Sequence, residues 1–282
     1  MKKYLIGALA LGASVFVSQG ASAESAAGFS SGGYVYPIYN SPGVALLDSF
    51  YFRYNDTDHH LSSLSVKPES NGTIMLAFAD HNNDDDYYYT VEHKRNTSAG
   101  IITGSFVDFC TGSCLYPLAA PGPGYVFALR GFRFYYRNGD HHMNQVGILR
   151  EATGVRTFFN DHNTDDPYTV YVDYAWLPSS LVEYTGVISG TDDGGGVQRA
   201  VTNANRAIIT GFKMDYVYGG DHELQEIGVL TRNSDIQVYY GDSNGDDDFT
   251  YQVNYAVMRQ SLVIGQIGPI GPIGPIAAVV SP

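Results

Sequence analysis

Apolar and polar residues alternate along many short segments of the chain. Between positions 169 and 176, one face of an extended backbone carries Val170, Val172, Tyr174 and Trp176, and the other carries Thr169, Tyr171 and Asp173. A period of two is typical of a half-buried β-strand. Clusters of Asn, Asp, Gly and Ser, which favour turns, separate these segments. No helical period occurs after residue 23, so the pattern predicts an all-β protein.

The same series of strands recurs three times. In the first copy it covers residues 47–54, 61–66, 73–79 and 87–93. An acidic loop of the form Asp-x-Asn-x-Asp-Asp precedes the last strand of each copy, and these loops begin 81 residues apart, at Asp80, Asp161 and Asp242. A period this constant indicates a repeat protein. We predict three antiparallel β-sandwich repeats of about 80 residues, either in tandem or packed with pseudo-threefold symmetry.

Residues 1–23 have the layout of a bacterial secretory signal peptide, with two lysines, an apolar run and Ala-Ser-Ala before Glu24. This layout predicts export, either out of the cell or into the periplasm. The parts that follow are a flexible lead-in (24–33), three sandwich repeats (34–117, 118–200 and 201–267) and a Gly-Pro-Ile tail (268–282). The tail has too few triplets for a collagen helix, so we expect an extended segment.

The last strand of the first copy differs from its counterparts. His93 and Arg95 stand in the register of Tyr174 and Trp176. Because ionisable side chains favour water, we expect this strand to fray early or to lie at a wetter edge.

The composition excludes several classes of partner. The formal net charge is −13 at pH 7, so the chain lacks the basic face that nucleic acid or an anionic membrane surface requires. After residue 23 no stretch approaches the ~18 apolar residues of a transmembrane helix, and we expect no membrane insertion. Cys110 and Cys114 are expected to form a local disulfide after export, with a redox or metal pair as the alternative.

The acidic loops are candidate calcium sites. Asp and Asn at alternate positions of a tight loop place oxygen ligands on one side of the backbone, as hard cations require. The candidate ligands are Asp80, Asn82, Asp84, Asp85, Asp161, Asn163, Asp165, Asp166, Asp242, Asn244, Asp246 and Asp247. The loops lack the Gly and Glu of an EF-hand, and plain turns whose side chains cap their own backbone are the alternative.

Histidines accompany these loops. An Asp-His pair begins the second strand of each copy, and two of the loops carry a further histidine. The candidate ligand-binding residues are His59, His81, Asn82, His141, His162, Asn163, His222 and Asn244. His59, His141 and His222 could hold the acidic loop or their own strand end by hydrogen bonds, and a transition-metal site is the alternative.

The order of features in the third copy resembles the H-type lectin domain of snail agglutinins and discoidins. The matching segments are Thr185-Gly186, Ile208–Tyr216, Asp221, Leu224–Leu230, Ile236–Tyr240, Asp242–Asp247 and Tyr251–Val257. The resemblance implies trimer-like packing and binding of N-acetylgalactosamine-type sugars between neighbouring units. The family uses a strand Arg and residues of the polar loop, and this chain has Ser63, Gln145 and Glu226 in place of that Arg.

These observations predict a secreted, multivalent carbohydrate-binding protein, calcium-dependent through its acidic loops. The nucleophile elbow, the Walker loop and the His-Glu-x-x-His run of enzymes do not occur in the sequence. Glycans or cell-surface polysaccharide are the expected partners, and the tail or the strand edges could join copies of the chain. The alternatives are a structural surface, matrix or filament protein, and a polysaccharide-active enzyme with paired carboxylates.

Overall fold

A computed structural model describes residues 22–39, 41–55, 59–80, 85–136, 141–161, 166–193, 196–217, 222–242 and 248–260. The strands are β1 (Ser22–Ser31), β2 (Val44–Tyr54), β3 (Ser63–Pro68), β4 (Ile74–Ala79), β5 (Asp86–Asn96), β6 (Ile102–Thr111), β7 (Ser113–Pro117), β8 (Tyr125–Tyr136), β9 (Gln145–Arg150), β10 (Gly154–Asn160), β11 (Pro167–Pro178), β12 (Val182–Asp192), β13 (Gly196–Ala200), β14 (Ala207–Tyr216), β15 (Glu226–Thr231), β16 (Asp235–Gly241) and β17 (Phe249–Met258).

The all-β prediction is confirmed. The helices in the described part of the chain are two short 3-10 turns, Ser179–Leu181 and Ala204–Arg206. Within those residues no helix has the length and apolar character to cross a bilayer. The signal peptide (1–21 of its 23 residues) and the Gly-Pro-Ile tail lie outside the described residues.

The strands form three antiparallel sheets. Sheet 1 has the order β1-β5-β2-β15-β16-β13, sheet 2 has β4-β3-β8-β11-β6, and sheet 3 has β12-β17-β14-β9-β10-β7. In each sheet, two neighbouring central strands come from one predicted copy and the pair beside them comes from another. β2 and β5 join β15 and β16, β8 and β11 join β3 and β4, and β14 and β17 join β9 and β10. No copy therefore builds a sandwich of its own in the described structure, and the repeat boundaries stay a prediction.

Three phenylalanines show how the sheets meet. Phe50, Phe132 and Phe212 lie on β2, β8 and β14, one in each sheet, and each is fully buried. Their ring centroids form a nearly equilateral triangle with sides of 5.3, 4.9 and 5.2 Å. Tilted and edge-to-face contacts at such distances are favourable aromatic geometry. The three sheets therefore enclose one core around an approximate threefold axis.

Each of these central strands contains an irregularity two residues before its phenylalanine. The strand register shifts at Asp48 in β2 and at Thr210 in β14. In β8, Arg130 has no pairing partner in β11, because the register shifts between Asp173 and Tyr174 of β11. A bulge bends its strand and redirects one side chain. Thr210 lines a groove between sheets 2 and 3, and Asp48 lines a groove beside sheet 1.

The expected flexible lead-in is largely ordered. Residues 22–31 form β1, which pairs with β5 along its whole length, and Glu24 Oε2 lies 2.6 Å from Nε of Arg95. The sequence pattern missed this strand because it lies at a sheet edge. There mostly small and polar residues satisfy the backbone of β5, and Ala26 packs against the core.

The prediction that the last strand of the first copy frays early or lies at a wetter edge is wrong. β5 continues to Asn96, and His93 is fully buried. Its Nε2 lies 2.9 Å from the carbonyl oxygen of Arg130, and burial lowers the pKa of His93 to about 4. The imidazole therefore replaces an aromatic ring inside the protein in its neutral form.

Candidate functional site

Three short segments meet at one end of the approximate threefold axis. His59 and Leu224 exchange both backbone hydrogen bonds (3.2 and 3.0 Å), and Leu61 and His141 do the same (3.0 and 3.2 Å). The N–H of Met143 donates to the carbonyl of His222 over 2.9 Å. Residues 59–61, 141–143 and 222–224 thus close a ring of main-chain contacts, which we call the axial ring.

The histidine that begins each segment packs on a tyrosine at the end of a central strand. The ring centroids lie 4.5 Å apart for Tyr54 and His59, 4.1 Å for Tyr136 and His141, and 3.9 Å for Tyr216 and His222. These contacts attach the axial ring to β2, β8 and β14, and so to the phenylalanine core.

Two of these histidines also contact the end of an acidic loop. Nδ1 of His59 lies 3.0 Å from a carboxylate oxygen of Asp85, and Nδ1 of His141 lies 2.8 Å from one of Asp166. These are the contacts expected of a histidine that holds its acidic loop. A ligand-binding role for the three histidines stays a prediction.

The structure places five of the twelve candidate calcium ligands. Asp80, Asp85, Asp161, Asp166 and Asp242 are described, whereas Asn82, Asp84, Asn163, Asp165, Asn244, Asp246 and Asp247 lie outside the described residues, as do His81 and His162. One potential ligand atom each of His141, Asp161 and Asp166 lies within 4.8 Å of the others. The carboxylates suit calcium, whereas an imidazole nitrogen suits a transition metal. Calcium binding by the acidic loops therefore stays a prediction.

A second set of side chains projects from the axial ring, and the sequence analysis did not select it. His60, His142 and Glu223 each follow one of the three histidines. The rings of His60 and His142 lie 4.0 Å apart, and Nε2 of His60 lies 3.0 Å from Oε1 of Glu223. The sequence signal for this set was that each residue directly follows an Asp-His pair. The change from His to Glu in the third copy obscured that signal.

A groove of about 300 Å³ lies where sheet 2 meets sheet 3, away from the axial ring. Its walls combine aromatic rings with hydrogen-bonding groups, and it is lined by Val126, Phe127, Arg150, Thr185, Gly186, Val187, Thr210, Asn254 and Tyr255. A Cβ on Gly186 would lie 2.4 Å from the ring of Tyr255. The absence of a side chain at Gly186 therefore lets the ring of Tyr255 lie across β12.

Arg150 is the cationic group of this groove. Its guanidinium donates to the carbonyl of Gly154 over 2.6 Å and lies 5.4 Å from the centroid of the Trp176 ring. Burial lowers the pKa of Arg150. In the described part of the chain, no ion pair joins Arg150 to a carboxylate. Its remaining N–H groups can therefore serve a ligand.

A groove of about 290 Å³ with different chemistry lies beside sheet 1. It is lined partly by Asp48, Glu92, Lys94 and Thr231. The Lys94 ammonium is paired with Asp48 and donates to the carbonyl of Ala207 over 2.9 Å. Burial raises the pKa of Asp48 although Lys94 opposes this shift. Because Lys94 and Asp48 are paired with each other, this groove offers a ligand fewer free hydrogen-bonding groups.

The three residues that the predicted resemblance aligns with a strand Arg lie outside the groove that contains Arg150. Gln145 donates to Asp215 over 2.8 Å, and Glu226 accepts from the hydroxyl of Tyr51 over 2.6 Å. Ser63 donates to the carbonyl of Phe134 over 3.2 Å. Each joins two neighbouring strands. Arg150 lies at the opposite end of β9 from Gln145, and sequence reasoning did not select it.

Both cysteines are free thiols in the structure. They flank Gly112, where the chain passes from sheet 2 (β6) to sheet 3 (β7). Their sulfur atoms and one oxygen of Asp108 lie within 4.8 Å of one another. The expected disulfide is not formed in the structure and stays a prediction.

Comparisons with known proteins add little to this description. No family model matches the chain, and no curated protein sequence matches it. A chain of the atomic structure of Sulfolobus Turreted Icosahedral Virus has 11% identity and a TM-score of 0.18, with 77% of this chain and 81% of that chain covered. A chain from a triple jelly roll and turret assembly in an archaeal virus has 10% identity and a TM-score of 0.14, with 81% and 82% covered. Scores this low do not establish a shared fold.

Proposed function

We propose that the protein binds carbohydrate, without cleaving it, in the groove between sheets 2 and 3. The observation that carries the proposal is the pairing of Phe127 and Tyr255 with Arg150 and Asn254 in one open groove. A sugar presents an apolar face and a rim of hydroxyls, so aromatic rings and fixed polar groups recognise it together. The volume of about 300 Å³ lies at the lower end of small-molecule sites, which suits one or two sugar rings.

The wider proposal is a secreted lectin-like protein, extracellular or periplasmic, whose ligands are glycans or cell-surface polysaccharide. The resemblance to H-type lectins, calcium dependence and a Cys110–Cys114 disulfide formed after export belong to this proposal. Three sheets of similar construction would allow several weak contacts on one glycan surface to act together. Because the grooves differ in charge, we expect the one that contains Arg150 to bind most tightly.

Binding to a glycan array, followed by calorimetry with the best soluble sugar, tests the proposal. Arg150→Gln should weaken binding about tenfold or more, since a hydrogen bond from a charged group contributes roughly 1.5–3 kcal/mol. Arg156→Gln is the matched control, because Arg156 lies on the neighbouring strand and is paired with Glu151 over 2.6 Å. Absence of saturable binding to any glycan, or equal loss in both variants, would sink the carbohydrate proposal.

A second candidate function, assembly into a surface or filament structure, is favoured by the sheet edges. β1, β6 and β12 are long edge strands, and each exposes large apolar side chains, namely Phe29, Ile102, Val107, Phe109 and Val187. Exposed edges of this kind pair readily with other strands. Sedimentation velocity at rising concentration tests this function. Polymers that Val107→Lys and Val187→Lys suppress would support it, and a monomer at all concentrations would exclude it.

A further inference from the structure

The side chains that project from the axial ring form a compact set of metal-binding groups. One potential ligand atom each of His60, His142 and Glu223 lies within 4.8 Å of the other two. The positions are 82 and 81 residues apart in the chain. Three distant parts of the sequence thus bring two imidazoles and one carboxylate to the same point on the threefold axis.

The backbone that carries these side chains is held firmly. The cross-segment hydrogen bonds of the axial ring lie on either side of each of them. The next residue in each segment, Leu61, Met143 and Leu224, is fully buried. Rigid support of this kind keeps ligand atoms within the small tolerance that a metal site needs.

The chemistry of the set points to a divalent transition metal. Two histidines and one carboxylate with open positions are a ligand set used for zinc and for non-haem iron. A tetrahedral zinc ion with bond lengths near 2.1 Å holds its ligands roughly 3.4 Å apart. The contact of 3.0 Å between His60 and Glu223 is close to that spacing, and a ligand atom of His142 lies within 4.8 Å of both.

Three further observations support an ion at this point. Nδ1 of His142 is buried, and no group in the described residues hydrogen-bonds to it. The side chains of His60 and Glu223 remain 36% and 42% exposed, so solvent and ions can reach the cluster. The net charge of −13 also raises the local concentration of cations.

We propose that His60, His142 and Glu223 bind one divalent transition-metal ion, with zinc as the probe, on the approximate threefold axis. Solvent completes its coordination. The ion would join the three segments of the axial ring and stabilise their closure. None of the three ligands belongs to an acidic loop, and the site does not depend on the carbohydrate proposal, whose groove lies between sheets 2 and 3.

The test is a measurement of bound zinc by equilibrium dialysis and elemental analysis. Two other described clusters could also take zinc, Asp108 with both cysteines and His141 with Asp161 and Asp166. The parent protein for the test therefore carries Cys110→Ser, Cys114→Ser and Asp166→Asn. One zinc per chain is expected to remain bound to this parent. Protons should compete with it, so that binding at pH 5 is weaker than at pH 7.5.

His60→Asn, His142→Asn and Glu223→Gln should each remove this zinc or weaken its binding about a hundredfold, because loss of a supporting residue alone weakens metal sites about 10–100-fold. Glu151→Gln, at a surface acid paired with Arg156, is the matched control and should keep the zinc. Cobalt in place of zinc should give visible absorption bands that His142→Asn abolishes. Far-UV circular dichroism verifies that each variant is folded.

Zinc should also raise the melting temperature of the parent and leave that of His142→Asn unchanged. Zinc content unaffected by the His60→Asn/His142→Asn double variant, or a parent that binds no zinc at micromolar concentration, would overturn the proposal. In either case the three side chains would form only a hydrogen-bonded cluster. Glycan binding measured in the same variants should be unaffected, and this readout keeps the two proposals apart.

Discussion

Replacement of one phenylalanine in the central triangle tests whether the three sheets share a single core. In Phe50→Ala the change lies in β2 of sheet 1, in the first predicted repeat. The ring is fully buried and lies 5.3 Å from Phe132 of sheet 2 and 4.9 Å from Phe212 of sheet 3. Loss of a buried phenylalanine lowers the free energy of unfolding by about 3–5 kcal/mol, because the apolar contact is lost and a cavity remains.

The chain supplies a local probe in another sheet. Trp176 is the one tryptophan of the sequence, and it lies 5% exposed in β11 of sheet 2. Urea unfolding can therefore be followed by Trp176 fluorescence and, in parallel, by far-UV circular dichroism. If the sheets unfold as one unit, Phe50→Ala should lower both midpoints equally, with the slope unchanged.

Two controls sharpen the result. Phe29→Ala removes a ring that is 48% exposed on the edge strand β1, and it should lower stability by less than about 1 kcal/mol. In the double variant Phe50→Ala/Phe132→Ala the effects should be non-additive by about 0.5–3 kcal/mol, because the two rings touch. A fluorescence midpoint that does not move in Phe50→Ala while the dichroism changes would refute the shared core and favour independent sandwiches.

Three further predictions concern pH, packing and calcium. The buried His93 has a pKa of about 4, below the ordinary value of ~6.5. Between these two pH values the unfolded chain binds more protons, so the stability of the folded protein should be lost as pH falls through this window. His93→Gln should flatten the pH dependence of the urea midpoint, and an unchanged pH dependence would contradict a neutral buried imidazole. A Cβ on Gly147 would lie 2.5 Å from the carbonyl oxygen of Phe212, so Gly147→Ala should lower stability by about 1–3 kcal/mol, whereas Gly122→Ala, with no atom within 4 Å of the added carbon, should leave the melting temperature unchanged. Calcium at a hundredfold excess over Kd should raise the free energy of unfolding by about 2.7 kcal/mol for one occupied acidic loop. The double variant Asp161→Asn/Asp165→Asn should remove the calcium stabilisation that comes from the loop of the second copy. Identical melting curves in calcium and in chelator would show that the loops are plain turns.

The positions of the strands could be predicted from the sequence because the period of two is a local property. The segments predicted over 47–54, 73–79 and 87–93 correspond to β2, β4 and β5, with ends that differ by up to three residues. The same pattern could not identify β1, because its residues are mostly small or polar and do not alternate with large apolar ones. It also misjudged His93, since the pattern contains no information on whether a neighbouring sheet covers that position.

Tertiary structure alone decided which strands pair. Because the predicted copies resemble one another, β3 and β4 present similar edges to β2 of their own copy and to β8 of the next one, and a local pattern does not distinguish these partners. In the structure β3 pairs with β8. A second exchange pairs β9 with β14, and it puts Arg150 of β9 in sheet 3, in one groove with Phe127 of sheet 2. The axial ring likewise joins segments from three parts of the chain.

The candidate residues show the same division. The sequence by itself determined that the Asp-His pairs recur, and from this His59, His141 and His222 could be selected. Only the closed ring of contacts between 59–61, 141–143 and 222–224 places the next side chain of each segment, His60, His142 or Glu223, beside the other two. Positions about 80 residues apart become neighbours through long-range pairing, and the free energy of that pairing depends on the packing of all three sheets rather than on any single segment.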